Sequence, residues 1–408
     1  MSDHFDYLII GAGIIGLAVA RELRNLKPNA TILVMEKEPE VACHSSGRNS
    51  GVLHAGFYYS ADSLKAKFTR DGLLQMKEYV KKNDLKLNEC HKVVVAKNEK
   101  EIDGIYELER RGKQNGVDVK VISEVELKEI DPNAKTCQVA LFSPTTATVD
   151  PTEICLAMQK ELQASGVMFT FGDGYFCRID GNVIETTSGS KLSANKIINA
   201  AGLYADRIAR HFGFSKDYTI IPFKGIYLKY TKSDKPIRTN IYPVPNLKNP
   251  FLGVHYTITV DGIIKIGPTS IPAFWRENYK GWDNFHAGEL CNILSWETRL
   301  FLTNAFGFRS LALEEMHKYN RSWFVGQATS MVHKIDASGF TEWSKPGIRA
   351  QLLNRKSLEL VMDFLVEGDR NSVHILNAVS PAFTSALPFA KWVVENYVMK
   401  NIGHDKKS

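Results

Sequence analysis

Residues 6 to 37 read DYLIIGAGIIGLAVARELRNLKPNATILVMEK, and the fold is decided there. An apolar run, Tyr7 to Ile10, has the length and composition of a buried strand. A glycine turn follows, Gly11, Gly13 and Gly16, and then a helix-period segment to about Leu26. A second apolar run, Ile32 to Met35, ends in the acid Glu36. Each part suits the grip on a dinucleotide. Gly11 permits the tight strand-to-helix turn, and Gly13 leaves room for a pyrophosphate against the backbone. Gly16 lets helix and strand pack closely. The helix start offers unpaired N–H groups and a partial positive charge to phosphates. Glu36 can accept hydrogen bonds from a ribose diol and would repel a 2′-phosphate. The candidate dinucleotide contacts are Gly11, Gly13, Ile15, Gly16, Glu36 and Lys37. The turn by itself does not choose between NAD and FAD.

The 408 residues predict two to three domains at roughly 100–200 residues each. With 44% hydrophobic and 24% charged residues, the chain can bury a core. A net charge of +6 is small for this length and favours anionic substrates or a membrane surface. There is no arginine-rich, aromatic-interleaved segment, so nucleic acid is not expected as a partner. None of the six cysteines forms a CxxC pair, so no metal is expected and free thiols in a reducing cytosol are. The longest apolar stretch, Tyr7 to Ala20, is broken by three glycines and is shorter than the ~18 residues of a spanning helix. With no signal or transit peptide ahead of the first strand, the expectation is a cytoplasmic protein. Peripheral contact with the inner membrane surface is left open.

Further along, HSSGRNSGVLHAGFYY (44–59) is a loop rich in Ser, Gly, His and Tyr, of the kind that carries function. Residues 63 to 82 have helical periodicity. Residues 90 to 130 read as an α+β insertion. KIINAAGLYADRIARHFG (196–213) is another strand, glycine and helix, which suggests a second edge of the same cofactor site. Residues 218 to 275 are strand-rich with many turn signals. The end carries GIRAQ (347–351), a strand at 373–376, the loop NAVSPAFTSAL (377–387) and a closing helix from about Pro388 to Met399. The expected fold is α/β. A Rossmann-like nucleotide-binding domain comprises 1–85, 145–215 and 335–408. An interleaved α+β substrate domain, 86–144 and 216–334, is built on a mostly antiparallel sheet.

These segments resemble one known group. GAGIIGLAVAREL, RNSGVLHAGFYY with SLKAKF behind it, NAAGLYADRIA, PFKGIYL, IYPVPN, PFLGVHYT, GIRAQ and ILNAVSPAFTSAL together are similar to the D-amino-acid-oxidase-like FAD-dependent oxidoreductases. Within that superfamily the chain resembles the L-2-hydroxyglutarate oxidase/dehydrogenase family, from about Asp6 to Val394. It departs from the family pattern in three places. Ile226 stands where an acid is usual, Thr269-Ser270 stand in a GPNA segment, and Val379 and Phe383 intrude in the last loop. The resemblance selects FAD over NAD. It implies oxidation of a 2-hydroxy acid, L-2-hydroxyglutarate first among them, to the 2-oxo acid by hydride transfer to flavin N5. Electrons then pass to oxygen, a quinone or another carrier.

That chemistry assigns roles. Ser45, Ser46, Asn49, Ser50, Gly51 and Val52 can line the flavin with hydroxyl, amide and backbone groups. Ala201 and Gly202 form the second edge. Ser380, Pro381, Ala382 and Thr384 precede the last helix and can face the flavin O2 with backbone N–H groups. Arg349 suits a carboxylate clamp, because guanidinium matches carboxylate with paired donors. Lys224 can hold a second carboxylate. His255 and His54 are the candidates for the base that removes the hydroxyl proton. The competing readings are an FAD-dependent amine or amino-acid oxidase, a glycerol-3-phosphate dehydrogenase-like enzyme, and a non-catalytic nucleotide-binding subunit.

Overall fold

The computed structural model describes residues 3–245 and 253–400. Asn246 of the IYPVPN segment and residues 250–252 of PFLGVHYT lie outside them. The chain divides into two compact units, Met1–Asn49 with Pro151–Pro222 and Arg349–Ser408, and Ser50–Asp150 with Phe223–Ile348.

The first unit is built on a predominantly parallel sheet. Its strand order is Met168–Phe171, Ile32–Glu36, Asp3–Ile10, Lys191–Asn199 and Ser372–Asn377, each parallel to the next. Antiparallel strands Val183–Thr186 and Leu365–Gly368 extend it. Leu8, Ile9 and Val34 are completely buried, as strands covered on both faces require. The helix Ile14–Leu26 follows the first strand and buries Leu17, Val19, Ala20 and Leu23. The helix Ala382–Val393 packs against it.

At the far side of this sheet, His374 is completely buried beside Phe212 and Phe214, with ring centroids 5.1 and 5.0 Å away. Its Nδ1 faces Asn199 Nδ2 at 3.2 Å and its Nε2 faces Ser372 Oγ at 3.0 Å. Burial pushes the imidazole down from 6.5 to about 3. The unfolded chain therefore takes up the proton first as pH falls from 6.5 to 3. The contribution to stability is complete above 6.5, and on the order of several kcal/mol is lost across that window. His374→Gln is expected to flatten the acid limb of stability measured by urea unfolding between pH 6.5 and 3. An unchanged slope would contradict this assignment.

The second unit holds two four-stranded sheets. One is antiparallel, in the order His255–Ile258, Ile264–Gly267, Leu228–Tyr230, Phe340–Trp343. The other runs Asn240–Pro243, Lys92–Val95, Val139–Ser143, Lys120–Ser123, with its first pair parallel and the rest antiparallel. Their shared core includes Val93, Val95, Ile241, Tyr256, Ile266 and Phe324. Capping residues fix the helix starts: Ser63 Oγ accepts from Ala66 N–H, and Ser123 with Glu126 makes a reciprocal capping box.

Residues 50–85, expected with the nucleotide-binding part, group with this second unit. The reason is a set of ties to the helix Ile102–Gln114 and the residue after it. Asn115 Nδ2 donates to the carbonyls of Gly56 and Tyr59, both at 3.0 Å. Arg111 donates to Tyr58 O, and Arg70 to Asn115 O. The sequence shows that residues 63–82 are amphipathic, and no periodicity says which core an amphipathic helix meets.

Candidate functional site

In the first unit, the strand Asp3–Ile10 runs into the glycine turn, and the turn is built as the sequence implies. Gly11 sits at φ +104°, where a side chain is strained, and its N–H donates to Met35 O at 2.8 Å. A Cβ on Gly16 would lie 1.9 Å from Gly11 O, so helix and turn touch through backbone alone. Gly13 is the N-cap of the helix and brings no capping side chain, and the first turn holds no acid. The first N–H groups of a helix have no partner within it. Ile15 and Gly16 supply such groups. That of Ile14 is taken by Ser46 Oγ at 2.9 Å.

Glu36 ends the second strand with only 9% of its surface exposed. Its Oε2 accepts from Ala12 N–H at 2.8 Å and its Oε1 from Glu38 N–H at 3.1 Å. The carboxylate thus ties the turn to the second strand and retains lone pairs for a ribose diol. Lys37 is exposed, pairs with Glu38 and lies over the Tyr204 ring. Asn49 Nδ2 donates to the carbonyls of Ser45 and Ser46, folding that loop back on itself.

The second glycine passage does meet the first. Ala200 N–H donates to Ile10 O at 2.9 Å, and a Cβ on Gly11 would stand 2.7 Å from Ala200 O. Ala201 N–H donates to Asn199 Oδ1 at 3.2 Å, and Gly202 sits at φ +52°. Asn199, fully buried, also donates to Ala205 O at 2.8 Å. It holds this edge, and the sequence reading passed over it. The last helix begins at Ala382, not near Pro388, with Pro381 as its N-cap. Ala382 and Thr384 therefore lie in its first turn, directly after Ser380, and both are buried. Pro388 suggested a helix start, yet it is accommodated inside the helix. Arg349 stands half-buried on the strand Gly347–Asn354.

The second unit holds a separate constellation. Gly51 accepts from Val149 N–H, Ser50 Oγ accepts from Val52 N–H at 3.3 Å, and Val52 pairs with Thr148. The two candidate histidines share one buried cluster. His255 heads the strand His255–Ile258, is 3% exposed, and stacks on Tyr242 with ring centroids 3.7 Å apart. Its Nδ1 lies 2.8 Å from Gly253 O, which makes Nδ1 the protonated nitrogen of the neutral ring. His54 is 8% exposed, and burial, then Lys92, then His255 hold its pKa well below the usual histidine value.

Beside His54 and over the Tyr242 ring stands Lys92, which the sequence reading missed. It is fully buried, with Nζ 3.4 Å from His54 Nδ1 and 4.1 Å from the Tyr242 ring centroid. Phe57 and Tyr58 rings lie at 5.8 and 5.4 Å. Ring faces return ~2 kcal/mol of the lost hydration at best, against several for burying an ammonium. Desolvation wins, and the lysine is pushed down to about 7. Tyr58 and Tyr256 hydroxyls are buried with no hydrogen-bond partner among the described residues.

Lys224, half-buried on the strand Tyr218–Gly225, donates to Asn278 Oδ1 at 3.1 Å, and burial lowers its pKa. Two of the departures from the family pattern touch each other. Ile226 N–H donates to Thr269 Oγ1 at 3.1 Å, and that hydroxyl donates to Lys224 O at 3.0 Å. All six cysteines are free thiols. No helix of the described residues is long and apolar enough to cross a membrane.

A glycine turn closed against backbone at Gly11 and Gly16, a helix whose N-cap glycine brings no side chain and a buried acid at the second strand's end fit a dinucleotide with an unphosphorylated ribose. The FAD dependent oxidoreductase family matches residues 6–396, and the chain belongs to that family. Its cofactor is FAD, and the protein is an oxidoreductase. Within the family, the chain is 33% identical over 394 residues to the L-2-hydroxyglutarate dehydrogenase of Escherichia coli K12, covering 96% of this chain and 92% of that one. It is 34% identical over 420 residues to the mitochondrial L-2-hydroxyglutarate dehydrogenase of Homo sapiens, covering 97% and 89%. Among solved structures it is similar to the FAD-bound L-alpha-glycerophosphate oxidase of Mycoplasma pneumoniae, with a TM-score of 0.74, 21% identity, and 99% and 97% coverage. The glycine oxidase of Geobacillus kaustophilus gives 0.71 at 18% identity, with 99% and 97% coverage. At these identities the two structures speak for the fold alone.

Proposed function

We propose that this protein oxidises L-2-hydroxyglutarate to the 2-oxo acid. The observation that carries the reading is identity of about one third along nearly the whole chain with L-2-hydroxyglutarate dehydrogenases. Bound FAD supplies the hydride acceptor, its N5, for the hydrogen on the substrate's C2. The chain's own residues do the rest. Gly11, Gly13, Ile15, Gly16, Glu36 and Lys37 hold the dinucleotide, with Ser45, Ser46, Asn49, Ser50, Gly51, Val52, Ala201 and Gly202 along its length. Ser380, Pro381, Ala382 and Thr384 bring the start of the last helix, whose N–H dipoles favour negative charge. Arg349 and Lys224 pair with the two carboxylates. The buried histidine pair, His255 and His54, takes the hydroxyl proton. Burial suits His54 to that task, because it holds that imidazole neutral and ready to accept.

The two electrons leave for oxygen, a quinone or another carrier. We place the protein in the cytoplasm, with peripheral contact at the inner membrane surface. That contact is supported by Phe301, Leu302 and Phe306, which stand exposed beside Arg299 and Arg309 at the end of the helix Ala287–Thr303.

A dye-coupled turnover assay across L- and D-2-hydroxy acids, amino acids and glycerol 3-phosphate tests the substrate. L-2-hydroxyglutarate is expected to exceed the others in kcat/KM by ~10-fold or more, the discrimination expected when buried charged partners are left unpaired. Preferential turnover of an amine or of glycerol 3-phosphate would replace this reading.

A further inference from the structure

We propose that Lys92 is a positioning residue that sets the tautomer of His54 and receives the proton His54 carries inward. The inference rests on the function proposed above and adds a second, buried station behind the histidine. The geometry orders the two groups from outside inward. His54 keeps 8% of its surface exposed and Lys92 none, so only the imidazole can meet a substrate. The single side-chain hydrogen-bond partner of Lys92 among the described residues is His54 Nδ1, at 3.4 Å. No carboxylate of the described residues forms an ion pair with it, although charged lysines buried this deeply ordinarily have one.

The strand Lys92–Val95 explains why the side chain lies there. Lys92 is the first residue of a strand that is buried along its whole length, in register with Asn240 on one side and Ser143 on the other. The titratable groups facing its amine are His54 and Tyr58 from the loop after Gly51, Tyr242 from the neighbouring strand, and Cys90 from its own segment. His255 stacks on the same Tyr242 ring. None of these is an acid in the carboxylate range. Burial leaves the amine losing its proton near neutral pH, and Cys90 opposes this only weakly.

With Lys92 neutral, the Nζ lone pair accepts from His54 Nδ1–H. Nε2 is then left unprotonated, as a base requires. The proton inventory closes without another reactant. The substrate O–H bond breaks and its proton bonds to His54 Nε2. The Nδ1–H bond breaks in turn, its proton goes to Lys92 Nζ, and the imidazole ends neutral. With Lys92 already charged, its N–H donates to Nδ1 instead, Nε2 carries the hydrogen, and the base is blocked. Activity should therefore rise with pH as Lys92 deprotonates.

The test combines Lys92→Met, Lys92→Arg and the unaltered holoenzyme, each first checked for FAD content and cooperative thermal unfolding. Carbon-13 NMR of ε-labelled lysine reads the group with no substrate present. One resonance, absent from both variants, is expected to titrate near pH 7, below that of the other deeply buried lysine, Lys265, which burial pushes down to about 8. Stopped-flow flavin reduction with whichever substrate the turnover assay selects gives the second readout. The holoenzyme is expected to show a rising limb centred near pH 7. Lys92→Met should lose that limb and fall ~10- to 100-fold on the plateau, within the range of general-base effects. Lys92→Arg should be equally slow at every pH, because guanidinium keeps its proton. Since Met leaves no amine to desolvate, that variant should unfold at a temperature no lower than the parent. A Lys92 resonance still charged above pH 9 overturns the proposal. So does a Lys92→Met enzyme that keeps both the limb and a rate within twofold of the parent. The NMR arm stands whatever the substrate proves to be, so failure of the substrate reading and failure of this one are separable.

Discussion

Gly16→Ala is expected to give a protein without bound FAD and with a large loss of stability. The added Cβ would stand 1.9 Å from Gly11 O, and that carbonyl belongs to backbone, which cannot rotate away. Gly11 cannot retreat either. Its N–H is bonded to Met35 O, and it already lies close to Ala200, whose O would stand 2.7 Å from a Cβ on Gly11. Relief requires the helix Ile14–Leu26 to lift from the strand Asp3–Ile10, and Leu17, Val19 and Leu23 lie in the packed layer that would open. Overpacking of this kind costs ~1–3 kcal/mol when side chains can adjust. Here only backbone can, so ~3 kcal/mol or more is expected. Flavin absorbance after purification and a urea unfolding curve measure both effects. Gly13→Ala is the matched comparison. Its Cβ would meet Ser46 Oγ at 2.9 Å, a side chain that can turn aside. It should retain part of its flavin. Equal behaviour of the two variants would show that the Gly16 contact does not govern the turn.

Arg349→Ala is expected to raise KM ~100- to 1,000-fold while leaving flavin content unchanged. Truncating one member of a hydrogen-bonded charge pair costs 2–5 kcal/mol, much of it from the partner left unpaired, and ~1.4 kcal/mol is a factor of ten. Lys should rescue little, since an ammonium cannot reproduce the paired donors of guanidinium. The split between KM and flavin absorbance separates a substrate clamp from a structural ion pair. An enzyme with ordinary KM and depleted flavin would assign Arg349 to the scaffold.

The readability of the chain follows the range over which each signal acts. The glycine turn is local: strand, turn, helix and acid lie within 32 residues, and each has one geometric reason for its identity. The resemblance of several separated segments carried the family. The two histidines stand in separate segments of the sequence, and the structure stacks His255 on Tyr242 and sets His54 against Lys92, whose amine lies over the same ring. Lys92 was not legible, because a lysine heading a strand ordinarily reads as solvated, and only the pairing of that strand on both sides buries it. Asn199 was hidden for the same reason: its three partners, Ala201, Ala205 and His374, come from different elements. The start of the last helix was obscured by Pro388, since proline marks helix beginnings statistically but the following and preceding turns decide. The grouping of residues 50–85 depended on hydrogen bonds from Asn115 and Arg111, some 50 to 60 positions away, and no local pattern encodes those.

The central claim is that FAD held at the glycine turn takes two electrons from the C2 hydroxyl of a 2-hydroxy acid. Anaerobic mixing of the purified holoenzyme with one equivalent of L-2-hydroxyglutarate tests it in a single turnover. The account predicts loss of the flavin absorbance near 450 nm and one 2-oxoglutarate formed per flavin bleached. Persistence of the yellow oxidised spectrum with L-2-hydroxyglutarate, while an amine or glycerol 3-phosphate bleaches it, would contradict the account.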